Sequence, residues 1–123
     1  MKVKSIDLGW ITVSDLEKAR KFFGDTLGLE LTSNDEQLGW LELEGKEGGA
    51  KLGVARAHEK EQHRPGHNTV LTLKVDNIEQ SKQGLEAKGV KFLGGIIEVP
   101  GHVKLATFVD PDNNTFQLVE DLS

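Results

Sequence analysis

The chain repeats itself, and that repeat restricts its fold more than any other feature. Residues 13–20, VSDLEKAR, align with residues 75–82, VDNIEQSK, at a spacing of 62. Val13 meets Val75, Leu16 meets Ile78, Glu17 meets Glu79 and Ala19 meets Ser81. Upstream, LGWITV at 8–13 matches VLTLKV at 70–75. Downstream, Gly28-Leu29-Glu30-Leu31 matches Gly89-Val90-Lys91-Phe92, with one residue lost between. Three element-sized matches in the same order describe one supersecondary unit built twice.

Each copy reads alike. Ile6 to Val13 and Thr69 to Val75 are β-branched and apolar-rich, which suits strands. Helix-capping residues follow, Ser14 or Asp15 in the first copy and Asp76 or Asn77 in the second. Behind the first cap, Leu16, Ala19, Phe22, Phe23 and Leu27 recur at helical spacing. Ile78, Ser81, Leu85 and Ala87 trace a weaker stripe behind the second. Gly28 and Gly89 suit left-handed C-terminal caps. Three short strands follow each helix, at 29–33, 38–44 and 50–56 and then at 90–98, 102–109 and 115–120. The turn-rich breaks are Gly45 to Gly49 and Asp110 to Asn114. The pattern is βαβββ, twice: an α+β fold with module one at 1–57 and module two at 67–123, joined by the polar stretch AHEKEQHRPGH.

At 123 residues the chain is one domain, 1–123, able to bury roughly 65–70% of its unfolded surface. No apolar run approaches the ~20 residues of a membrane span, and MKVKSIDLGW lacks a signal-peptide core. Zero cysteines exclude disulfides, thiolate metal sites and a cysteine nucleophile, and point to a cytoplasmic location. A net charge of -5 argues against nucleic acid or anionic membrane as partner.

A tandem βαβββ chain of this length resembles the vicinal oxygen chelate superfamily, which includes glyoxalase I, extradiol dioxygenases, fosfomycin-resistance proteins and bleomycin-binding proteins. The marks are Val13-Ser14-Asp15-Leu16-Glu17-Lys18-Ala19 with Phe22-Phe23 and Leu27-Gly28-Leu29, and the Asp110-Pro111-Asp112-Asn113-Asn114 turn leading into Phe116-Gln117-Leu118-Val119-Glu120. Asn113 stands where glycine is usual in such members. The turn by itself is an ordinary hairpin sequence and serves as a register mark. The resemblance implies tandem modules that lay eight strands into an incomplete barrel with a concave cleft.

Metal-dependent members take one His or Glu ligand from each of four strands, because a divalent cation wants imidazole nitrogen or carboxylate oxygen with positions open for substrate. The corresponding positions are Leu8, Val70 and Gln117, with the fourth near Gly53. Leucine, valine and glycine have no side-chain donor, and a neutral amide is a poor ligand. His58, His63 and His67 read as solvated linker residues and His102 as a rim residue. The expectation is a protein without metal or other cofactor.

Period-two alternation sets Leu8, Trp10 and Thr12 on one face of the first strand and Ile11 and Val13 on the other. The register that the resemblance implies turns the Leu8 face to the cleft. Trp40 and Glu42 alternate with Leu41 and Leu43, which suit the helix side. The expected ligand-binding lining is Leu8, Trp10, Trp40, Val70, Thr72 and Gln117, mostly apolar with one amide and one hydroxyl. Against this stands the plainer reading of strand tryptophans as core, of Gln117 as bonded to Thr72, and of Arg56 and Lys104 as solvated charges. No Ser/His/Asp or lysine nucleophile arrangement is legible, no tyrosine exists, and no catalytic residue is assigned. The leading expectation is a metal-free, non-catalytic binder of a small apolar or aromatic ligand. It would act as a homodimer, since open sheets expose edge strands. Two rivals are a metal-dependent lyase or dioxygenase with relocated ligands and a ligand-free interaction or regulatory module.

Overall fold

The computed structural model describes residues 8–57, 64–68 and 70–123. It divides into two compact units, residues 1–68 and 69–123, each with one helix and one four-stranded mixed sheet. Module one runs β1 (Leu8–Val13), α1 (Leu16–Arg20), β2 (Glu30–Asp35), β3 (Trp40–Gly45) and β4 (Gly48–Arg56). Module two runs β5 (Leu71–Lys74), α2 (Ile78–Ala87), β6 (Lys91–Val99), β7 (Val103–Val109) and β8 (Thr115–Asp121). The sheet orders are β1-β4-β3-β2 and β5-β8-β7-β6. In each, the first strand pairs in parallel with the last and the rest are antiparallel. The α+β class and the doubled βαβββ order are those expected, and neither sheet closes on itself.

The helix caps settle on the second candidate in each copy. Asp15 Oδ1 accepts from the Lys18 amide and Asn77 Oδ1 from the Gln80 amide, both at 3.0 Å. These satisfy donors that a helix start otherwise leaves orphaned. Glu120 adds a contact that sequence reasoning missed: its Oε1 accepts from the Ile78 amide at 2.8 Å, tying α2 to β8. Gly28 and Gly89 take the left-handed φ values of 78° and 89° expected of C-terminal caps. The first helix differs from expectation. After Arg20 it widens into a π-helical turn over Lys21–Thr26, with the Leu27 amide donating to the Phe22 carbonyl five residues back. A π-helical turn absorbs an extra residue, here bringing Phe23 fully inside while Phe22 stands edge-on to it at 5.0 Å.

In module one, Ile11, Val13, Leu41, Leu43, Leu52 and Val54 cover the helix side of the sheet and are buried. In module two the core is aromatic and sits on the sheet: Phe92, Phe108 and Phe116 form a file with centroids 5.5 and 5.6 Å apart. The turn at 110–114 is built around buried Asp110. Its Oδ1 accepts from the Asp112 and Asn114 amides at 2.9 and 2.7 Å, and its Oδ2 from Asn114 Nδ2 at 2.9 Å. Burial pushes the Asp110 carboxyl above its ordinary value, against the pull of those donors. Asn113 takes φ 67°, which explains the glycine usual there: asparagine is among the few other residues that enter this region readily.

Candidate functional site

Each sheet has a helix-covered face and an opposite face. On the opposite face of module one, Leu8 and Trp10 project from β1, with Lys51 and Gly53 as their partners on β4. Trp10 is 40% exposed, whereas its neighbour Ile11 is 2% exposed on the helix side. Trp40 projects from β3 onto the same face, since its neighbour Leu41 is 1% exposed beneath the helix. The two indoles approach to 6.1 Å between centroids at a 54° tilt.

Gly53 makes that approach possible. It lies opposite Trp10 on one side and Glu42 on the other. A Cβ placed on Gly53 would stand 2.5 Å from two carbons of the Trp40 ring and 3.0 Å from the Trp10 Cβ. The Trp40 indole therefore occupies the space where any side chain from position 53 would project. Glu42 holds the ring in place: Trp40 Nε1 donates to Glu42 Oε2 at 2.8 Å, and Lys51 Nζ lies 3.8 Å from Glu42 Oε1. Alternation set Glu42 on the face of Trp40 in the sequence, but the expected lining did not include it and its bond to the indole was not foreseen.

In module two, Thr72 on β5 lies opposite Gln117 on β8, and Gln117 lies opposite Thr107 on β7. Phe116 and Leu118, its flanking neighbours, are buried on the helix side. Thr72 is exposed and Gln117 half-buried. The register places the side chains of Gln117 and Thr72 side by side on one face. Val70 precedes β5 and is 45% exposed. The structure thus brings Trp10, Trp40 and Gly53 together within module one, and Thr72 and Gln117 within module two.

The rim charges differ from each other. Lys104 pairs with Glu79 at 2.6 Å, fastening β7 to the first turn of α2, and this bond raises the lysine and lowers the carboxyl from their ordinary values. Arg56 packs its guanidinium against Gly39 and borders a cavity of about 260 Å³ on the helix side of module one. Arg20, Glu17 and Glu36 also line that cavity, so its formal charges cancel.

The positions that hold metal in metal-dependent members do not fit an ion here. Leu8 and Val70 carry no donor, and an indole fills the space over Gly53. Among the described residues no group of three or more His, Asp or Glu side chains could hold one. His67 and His102 are exposed; His58 and His63 lie outside the described residues.

The model of the Glyoxalase/Bleomycin resistance protein/Dioxygenase superfamily matches residues 4–118. The chain belongs to that superfamily. Solved structures agree along nearly the whole length. A superfamily member from Sphaerobacter thermophilus DSM 20745 superposes with TM-score 0.83 at 25% identity, covering 97% of this chain and 98% of that one. TnmS3, an antibiotic binding protein from Streptomyces sp. CB03234, superposes with TM-score 0.79 at 27% identity over 98% of each chain. A glyoxalase/bleomycin resistance protein from the same organism is 29% identical at TM-score 0.73, over 93% of this chain and 98% of that one. No curated protein matches the sequence. No helix among the described residues is long and apolar enough to cross a membrane.

Proposed function

We propose that this protein binds a small aromatic or apolar molecule without metal and without catalysis, in the manner of a sequestering protein. The observation that carries the reading is the Trp40 indole lying over Gly53. A chain that used that position for a ligand to metal would need a side chain there, and the tryptophan leaves no room for one. What remains is a wide π surface on Trp10. The likeness to an antibiotic binding protein supports binding as the task. The protein would act in the cytosol as a homodimer, each sheet ending on two edge strands open to pairing.

Three measurements test this. Protein purified without chelator should carry no stoichiometric divalent metal; one tightly held ion per chain, retained through gel filtration, would favour a lyase or dioxygenase. A screen of aromatic compounds followed by tryptophan fluorescence should yield binders that Trp10→Ala abolishes. A folded protein that binds none would leave an interaction module as the better reading. Light scattering at micromolar concentration should give the dimer mass.

A further inference from the structure

We infer that the ligand of the Trp10–Trp40 face carries a cationic nitrogen, an inference that rests on the binding function proposed above. Three features of module one point to this class. Trp40 donates its Nε1–H to a carboxylate, Glu42 Oε2, at 2.8 Å, and a hydrogen bond to an anion makes the indole ring more electron-rich. Trp10 presents an exposed ring 6.1 Å from that one, so two π surfaces converge beside a fixed negative charge. Cations are drawn to such ring faces within about 6 Å, most strongly to tryptophan.

The third feature is the charge of the surrounding face. Strand register sets Asp35 opposite Trp40 and Glu30 opposite Glu44, and Glu44 shares the face of Glu42 by alternation. Four carboxylates, Glu30, Asp35, Glu42 and Glu44, therefore stand against one ammonium, that of Lys51. Lys51 is itself a partial occupant: its ammonium lies 3.8 Å from Glu42 Oε1 and its side chain is 42% exposed, a loose pair that a ligand cation can displace. An anionic or neutral aromatic gains the stacking surface but not the charge.

A matched set of probes tests the class: 1-methylquinolinium, its neutral isostere 1-methylnaphthalene, and the anion 1-naphthoate. Binding is read from the two indole N–H signals by NMR. The cation should bind at least tenfold more tightly than the neutral probe, and the anion more weakly than either. Glu42→Gln keeps an acceptor for the Trp40 N–H and removes only the charge, so it should shrink the cation's advantage to threefold or less. Lys51→Met should raise cation affinity two- to fivefold and leave the neutral probe unchanged. Equal binding of cation and neutral probe, or a preference that survives Glu42→Gln, overturns the cationic class and leaves aromatic binding standing. Failure of every probe to move either indole signal overturns both.

Discussion

Corresponding rows of the two open sheet faces carry different residues on the same ladder. In module one, Trp10, Gly53, Glu42 and Ser33 lie side by side across four strands. In module two the equivalent row is Thr72, Gln117, Thr107 and Leu93. The next row sets Trp40 in module one where Leu105 stands in module two. A large aromatic in one row leaves space only for glycine in its neighbour; where the aromatic is absent, an amide fits. The cores are inverted in the same sense. Module one takes its aromatic anchor from the helix, through Phe23, while module two takes it from the sheet, through Phe108 and Phe116. A doubled unit keeps its hydrogen-bonded frame and spends its side-chain volume in different places.

The largest expected effect concerns those cores. Phe23→Ala should cost about 3–5 kcal/mol in urea unfolding, because a fully buried ring is lost and the π-helical turn cannot collapse around the cavity. Phe92→Ala, at a half-buried position in the aromatic file, should cost clearly less. Equal losses would break the contrast between a single anchor and a shared one.

Asp110→Ala comes next, at roughly 2–4 kcal/mol, since three N–H donors lose their acceptor in a buried turn. Module one closes its corresponding hairpin with the pair Gly45 and Gly48, and the one carboxylate of that turn, Glu47, is exposed. A cost under about 1 kcal/mol would mean that the turn holds by backbone alone. Asp110 also sets a pH dependence. Burial raises its folded-state value above the ordinary 3.8, so the folded state holds the proton more tightly than the unfolded state does. The stability of the wild type relative to Asp110→Asn should therefore decline as pH rises from about 3.8 through the raised value, as read from unfolding midpoints.

Substitution at the paired positions sharpens the contrast between the open faces. Gly53→Val should cost about 1–3 kcal/mol through collision with the Trp40 indole, and Trp40→Ala should relieve part of that cost in a double-mutant cycle. Gln117→Val, at the equivalent position of module two, should cost less than about 1 kcal/mol.

The doubled βαβββ order was legible in the chain because strand alternation, helix spacing, caps and turn residues are local properties. Asp15, Asn77, Gly28, Gly89 and the Asp110–Asn114 turn announce themselves without tertiary contacts. Period two likewise told that Trp40 lies on the face opposite Leu41 and Leu43. The absence of donors at Leu8 and Val70 could be read directly, since a side chain without a lone pair cannot ligate in any fold. Strand registry decided the rest. Only when β1, β3 and β4 lie side by side does Gly53 fall beneath the Trp40 ring and Trp10 come to stand beside it, because residues on separate strands meet through hydrogen-bonded pairing that sequence spacing does not encode. The π-helical turn behind Phe23 and the bond from Glu120 to the start of α2 belong to the same class. Each satisfies a packing or hydrogen-bonding need that arises once distant segments are brought into contact.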